Sequence, residues 1–436
     1  MRVTVVGGGL AGCEAAWQLA TRGIKVSLLE MRPLKSTPAH QTEYFAELVC
    51  SNSLGSNQIT SAGGLLKEEL KFLKSLIIEI ALQTFVPAGG ALAVDRNRFA
   101  QMITQRIMSH PNIEVKTEEC TSLPEGIVII ATGPLSSEPM VDVLTKMTKS
   151  ENLSFYDAAA PIVTGESILT EHGFWGARYG KGTPDYFNCP MTEEEYELFW
   201  NELVQAEQAP LHEGIEDDIT VFEGCIPIEV MARRGKKTLL YGPLRPVGLI
   251  DERTGKRPFA VVQLRKENAQ GSLFNLVGFQ TRLKWGEQRR VFRLIPALQE
   301  AEFVRYGVMH RNTFINAPKV LKATFQLKDY PNVFVAGQLT GVEGYVESSA
   351  SGLLAGINAA RLLGGQEPLV LPEVTILGAL ARYLEEADPN GFQPMNANFG
   401  LLPPLNERIK DKQKRKEEYA KRSLDSLKQF LEIVQK

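Results

Sequence analysis

Residues 3–32 read VTVVGGGLAGCEAAWQLATRGIKVSLLEMR, and this stretch decides the fold. A β-branched run at 3–6 leads into Gly7, Gly9 and Gly12 at the spacing G-x-G-x-x-G. A helical stretch follows, and a second apolar run at 26–29 ends on Glu30. Gly7 allows the tight turn out of the strand. Gly9 lets backbone approach a pyrophosphate, and Gly12 lets helix and strand pack closely. The helix N-terminus favours the phosphate charge. Glu30 stands where an acid meets the ribose hydroxyls of a nucleotide. Strand, glycine turn, helix, strand and acid in this order predict a dinucleotide site. It includes Gly7, Gly8, Gly9, Leu10, Ala11, Gly12, Glu30 and Arg32.

Working outward, the nucleotide unit is assembled from separated pieces. The first, residues 1–135, contains an amphipathic helix opened by Val94, Asp95 and Arg96, a strand at 113–115, and a strand at 127–130 running into Ala131-Thr132-Gly133. An apolar strand ending in ATG is a turn met in flavoproteins. Residues 136–320 differ in texture. Short strands are expected at 238–241, 260–264 and 273–279, an acidic helix at 192–208, and Pro and Gly punctuate the whole. This reads as an inserted α+β substrate domain. In 321–436 the nucleotide fold returns, with a strand at 333–336, a glycine loop and a small-residue helix at 348–363, followed by a mostly helical tail. In FAD enzymes of the glutathione-reductase type, such a late strand, loop and helix reach the flavin end of the cofactor. That assigns Gly337, Gln338, Gly341, Val342 and Gly344 to the cofactor. The predicted fold class is α/β: a glutathione-reductase-type FAD-binding Rossmann domain, an inserted α+β domain and a helical C-terminal segment. A second G-x-G-x-x-G in strand–helix context is missing, so FAD is expected to be held stably and NAD(P)H transiently.

Composition narrows the class. The 436 residues suffice for more than one packed core. The net charge of −3 carries no whole-chain nucleic-acid signal, so an RNA site has to be a local patch. Apolar runs stay below membrane-spanning length, and the N-terminal run is needed in the phosphate turn rather than as a leader. Five widely spaced cysteines without a CxxC argue against a disulfide scaffold, a zinc site or a redox pair, and fit a reducing cytoplasm. With five histidines, none paired at ligand spacing, no metal is expected.

The usual reading of a lone cysteine is an inert hydrophobe; Cys13, inside the first helix, fits it, and neither Cys120 nor Cys189 has a feature that lifts it above that. Cys50, in AELVCSNS, and Cys225, in FEGCIPIEV, have polar, distinctive settings. Arg233, Arg234, Lys236 and Lys237 follow Cys225 closely. Cations lower a thiol pKa and attract a polyanion. The basic stretch 408–422 is a solvated helix face or a second phosphate-contacting surface.

These residues carry a resemblance. VVGGGLAGCEAAWQLATRG, TPAHQTEYFAELVCSNSL, FEGCIPIEVMARRGKKT, RYGVMHRNTFINAP and GQLTGVEGYVESSASGLLAGINAA, with further blocks nearly end to end, resemble the bacterial folate- and FAD-dependent tRNA (uracil-5-)-methyltransferases, the TrmFO family, related to the GidA/MnmG flavoproteins. The resemblance implies formation of 5-methyluridine in the T-loop of tRNA. Methylenetetrahydrofolate gives the carbon and NAD(P)H gives reducing equivalents through FAD. It implies Cys225 as the uracil nucleophile and Cys50 as its partner, assisting proton removal or guarding the nucleophile; Glu343 or Glu347 is an alternative base. Trp285, His310 and Tyr345 become folate or flavin-side contacts, each also readable as a core aromatic or a satisfied histidine. Arg233, Arg234, Lys236 and Lys237 become tRNA phosphate contacts. A monomer without an obligate protein partner is expected. The competing readings are a plain flavin oxidoreductase, a non-catalytic tRNA-binding flavoprotein, and the related wobble-uridine FAD/folate enzyme, which is longer and lacks FEGCIPIEV.

Overall fold

The computed structural model describes residues 2–434 apart from 38, 150–152, 159, 181–182, 210–225, 269, 308, 391 and 408, with backbone alone at 153–158 and 309–311. Five parallel strands form the first sheet, in the spatial order Val333–Val335, Ile127–Ile130, Arg2–Val6, Lys25–Glu30, Ile113–Thr117. Arg2–Val6 lies at the centre and pairs on both sides, and Val3, Val5, Leu28 and Ile129 are fully buried. Each such side chain contributes about 1.5–3 kcal/mol by leaving water. Helices cover the sheet, as parallel strands require. Leu10–Ala20 crosses Tyr345–Leu363 with its backbone in near contact. A Cβ on Gly352 would stand 2.1 Å from the Ala11 carbonyl oxygen, and one on Gly356 2.7 Å from that of Ala15. The small-residue pattern of that late helix thus serves close packing.

The helix Arg96–Met108 begins where its cap predicts. The Asp95 carboxylate accepts from the Arg98 amide, and Phe99, Ile103 and Ile107 turn inward at four-residue spacing. The C-terminal helices are tied to this same core. Buried Glu69 accepts from the amides of Ile376 and Leu377 at the start of Ile376–Glu386 and from the Ser423 hydroxyl in Lys412–Val434. Burial pushes the Glu69 carboxyl up to about 7.

A second core forms around six antiparallel strands in the order Phe174–Gly176, Tyr186–Met191, Ala260–Lys266, Leu273–Leu276, Ile162–Thr164, Phe303–Arg305. The acidic helix, Glu193–Gln205, carries the capping box of Thr192 and Glu195 and buries Tyr196, Phe199 and Leu203. A two-stranded ladder, Leu153–Ala158 with Met309–Phe314, joins the regions where the chain leaves the first core and returns. Two sequence expectations fail here. Residues 238–241 are a short helix, Thr238–Tyr241: Leu239 is buried while Tyr241 is 82% exposed, so the two do not share a face as they would in a strand. A four-residue apolar run is too short to set a period. The strand expected over 273–279 stops at Leu276, because Gly278 turns with φ of +79° tight against Pro243. Among the described residues no helix is long and apolar enough to cross a membrane.

Candidate functional site

A cleft opens beyond the carboxyl ends of the central strands. This is where the strand order reverses and where open α/β sheets hold ligands. Its wall includes every residue from Gly7 to Ala11. Gly7 leaves the strand at φ of +103°, and a Cβ there would stand 2.5 Å from the Ala131 carbonyl oxygen. A Cβ on Gly12 would stand 1.8 Å from the Gly7 carbonyl oxygen; Gly12 is packed behind the turn and does not line the cleft. At Gly9, by contrast, nothing lies within 4 Å of a Cβ position. Gly9 is the N-cap of the first helix and offers no side-chain cap. First-turn amides have no intrahelical acceptor, so this end of the helix is built to receive an acceptor from outside.

Glu30 ends its strand inside the cleft. Its carboxylate accepts from the Gly8 amide at 2.7 Å and pairs with Arg32 at 3.0 Å. Burial works to raise the Glu30 pKa, but the hydrogen bonds and charge of Arg32, with the Gly8 amide, outweigh it and hold the carboxyl below its ordinary value. Arg32 is buried between Glu30 and Glu47, with Nη1 3.6 Å from Glu47 and donating to the Tyr44 carbonyl. Its charge is therefore already matched by two carboxylates.

From the late loop, Gly337, Gln338, Tyr345 and Ser348 line the cleft. Gly341, Val342 and Gly344 are not among the lining residues. Gly341 and Val342 pack against the tail at Phe392 and Met395, and Gly344 is the N-cap of the helix Tyr345–Leu363. Tyr345 joins the cleft to the Cys50 segment. Its hydroxyl accepts from the amides of Cys50 at 2.7 Å and Ser51 at 3.2 Å, and burial pushes its pKa well up. Three guanidinium groups hold the rest of that segment. Arg96 donates to the carbonyls of Leu48 at 2.5 Å and Cys50 at 3.3 Å. Arg305 donates to the Val49 carbonyl, and Arg265 to the Ser51 hydroxyl at 2.7 Å and the Asn52 side chain at 3.0 Å. Cys50 is half-buried.

Of the remaining candidates, Cys225 lies outside the described residues. His310 is in the Met309–Phe314 strand, with its side chain outside them. Trp285 opens the helix Trp285–Phe292, is 62% exposed, stacks on Tyr306 and does not line the cleft. Arg233, Arg234, Lys236 and Lys237 lie exposed at the end of Ile228–Arg233 and in the turn after it. That turn is held on the acidic helix by Tyr196 donating to the Lys236 carbonyl and Trp200 donating to that of Ala232. Lys236 is paired with Glu197. Cys13 and Cys189 are fully buried, and burial pushes both thiols far up. Sequence reasoning missed Glu118, Glu119 and Cys120 in the cleft wall. The strand that precedes them was the available signal, since its carboxyl end faces the same crevice. It also missed Arg96, Arg265 and Arg305, for which no local signal exists.

Fold and cleft together define an α/β protein with a Rossmann-type dinucleotide cleft and a second, antiparallel core. Residues 2–367 match the family described as "Glucose inhibited division protein A". The Aquifex aeolicus GidA structure in its form II crystal aligns with a TM-score of 0.67 at 18% identity, over 90% of this chain and 70% of that one. The protein named Methylenetetrahydrofolate--tRNA-(uracil-5-)-methyltransferase TrmFO from Anoxybacillus flavithermus is 61% identical over 431 residues, 99% of each chain. Its namesake from Pelotomaculum thermopropionicum is 62% identical over 433 residues, again 99% of each. The chain belongs to this TrmFO family, within the wider GidA family.

Proposed function

We propose that this chain is a methylenetetrahydrofolate–tRNA (uracil-5-)-methyltransferase that uses FAD and NAD(P)H. It acts as a monomer on a T-loop uridine. The observation that carries this reading is the link made by Tyr345, which lines the dinucleotide cleft and accepts from the Cys50 amide. A plain flavin oxidoreductase with a small-molecule substrate would need neither Cys225 nor the basic patch.

The residues fit FAD. Gly9 leaves room for a pyrophosphate beside a helix start that lacks a side-chain cap, and Glu30, read as the ribose contact, shares the cleft with Gly337 and Gln338. When bound, FAD supplies the two-electron chemistry that turns a methylene unit into a methyl group. The other tasks fall to the protein. Uracil C5 is a weak nucleophile. Addition of the Cys225 thiolate to C6 makes C5 an enolate carbon able to take the methylene carbon of the folate. Removal of the C5 proton by a base expels the carrier nitrogen and leaves an exocyclic methylene at C5. Two-electron reduction of that methylene to a methyl group, with electrons that bound FAD would supply, restores the C5–C6 double bond and expels the Cys225 thiolate. Cys50 is assigned to that proton removal or to guarding Cys225. Both ring carbons have to be reached, so the uridine is flipped out of its stack.

The test is a transfer assay with unmodified tRNA transcript, NADH and methylenetetrahydrofolate labelled in the methylene carbon. Nucleosides from the digested RNA are read by mass spectrometry. Labelled 5-methyluridine is the expected result. NADH consumption with unlabelled RNA would overturn the reading in favour of an oxidoreductase. The RNA surface is tested separately by Arg233→Glu with Lys237→Glu. These changes are expected to weaken tRNA binding, to reduce the slope of log affinity against log salt by about 2, and to leave FAD reduction by NADH intact. An unchanged slope would move the RNA site elsewhere.

A further inference from the structure

The segment 48–52 is fastened from both cores at once. Arg96 opens the first-core helix Arg96–Met108, and Glu267 follows the second-core strand Ala260–Lys266. The Arg96 Nε donates to Glu267 Oε2 at 3.0 Å, and Nη2 lies 2.8 Å from the same oxygen. The other edge of the same guanidinium reaches the carbonyls on either side of Val49. The Arg96 side chain is only 12% exposed and that of Glu267 only 3%, so the pair is shielded from solvent screening. Asn52, fully buried, closes the assembly by donating to the carbonyls of Val94 in one core and Lys266 in the other. One planar fork thus ties the contact between the cores to the backbone that carries Cys50.

We propose that Arg96, oriented by Glu267, is a positioning residue that places the Cys50 segment against the cleft and makes that placement depend on how the two cores meet. The inference rests on the reading of Cys50 as part of the methyl-transfer machinery. Lysine keeps the charge at position 96 but cannot span two carbonyls and a carboxylate with one flat group. Glu267→Gln keeps the shape and removes the ion pair.

The experiment compares flavin-loaded wild type, Arg96→Lys and Glu267→Gln by two readouts. The first is alkylation of individual cysteines by iodoacetamide, followed by peptide mass spectrometry with Cys120 as internal reference. The second is kcat and KM for tRNA methylation. In both variants the Cys50 alkylation rate is expected to rise several-fold while that of Cys120 holds. Methylation kcat is expected to fall roughly a hundredfold, the scale of a misplacement of about 1 Å, with KM for tRNA little changed. An unchanged Cys50 rate, or an equal rise at Cys120, would overturn the proposal. If Arg96→Lys loses its flavin, Glu267→Gln alone decides. A Cys50 rate that responds in an enzyme whose wild type forms no 5-methyluridine would uphold the clamp and sink the methyltransferase reading instead.

Discussion

Gly9→Ala is expected to give a protein that folds as the wild type does and loses FAD. Nothing stands within 4 Å of the added methyl, and the backbone at φ of −76° is open to any residue. Unfolding free energy is therefore expected to stay within about 0.5 kcal/mol of wild type, as for substitutions that touch nothing. The methyl occupies the space assigned to the pyrophosphate. Overpacking of about 1–3 kcal/mol lowers FAD affinity roughly tenfold to hundredfold. Gly12→Ala is the contrasting case. Its methyl would meet the Gly7 carbonyl oxygen at 1.8 Å, a backbone atom that cannot turn aside. There the cost of about 3 kcal/mol falls on the fold itself, and flavin and stability are lost together. Denaturant melts and flavin-to-protein ratios of the two variants separate these outcomes. If Gly9→Ala binds FAD as wild type does, the phosphate is held somewhere other than this turn.

Cys225→Ala is expected to remove methyl transfer while FAD and tRNA remain bound. Without addition at C6 the uracil C5 has too little electron density to take the one-carbon unit. A thousandfold or greater loss, about 4 kcal/mol or more of barrier, follows if the covalent route is obligatory. The labelled-methylene assay reads it directly, with absorbance of the flavin and a tRNA binding isotherm as controls. Turnover within a few-fold of wild type would take Cys225 out of the mechanism and leave Cys50 as the thiol to test. The two cysteines are separable because Cys50 sits in a segment fastened by Tyr345 and Arg96, so Cys50→Ala leaves that backbone network in place.

Much of this protein was legible in its chain because the relevant signals are local. The turn Gly7 to Gly12 reads as a phosphate loop from glycine spacing between a strand and a helix, with Glu30 at the end of the next strand. The structure supplies the physical reasons: two glycines press on backbone and the third faces open space. The caps Asp95 and Thr192 mark their helices for the same local reason, as the side chain that stops the helix lies beside it in sequence. Cys13 as an inert core thiol also follows from position within a helix that has to be buried on most of its surface.

Other features are set only by tertiary contact. The run at 238–241 has an apolar pair that either a strand or a helix could use, and packing on the second core selects the helix. Gly341 and Val342 belong to a glycine loop that reads as cofactor-binding throughout, yet the tail at Phe392 and Met395 covers one part of it while Gly337, Gln338 and Tyr345 line the cleft. The Cys50 segment is the clearest case. Arg96, Arg265, Arg305 and Tyr345 lie tens to hundreds of residues from it, on elements of two different cores. A charged side chain carries no mark of its eventual partner, since its reach is spent on whichever carbonyl the packed cores bring near. The sequence by itself determined the nucleotide turn and, through resemblance, the family. The folded chain decided which residues face the cleft and how a thiol segment is fastened to it, because those depend on the distance between elements that only packing sets.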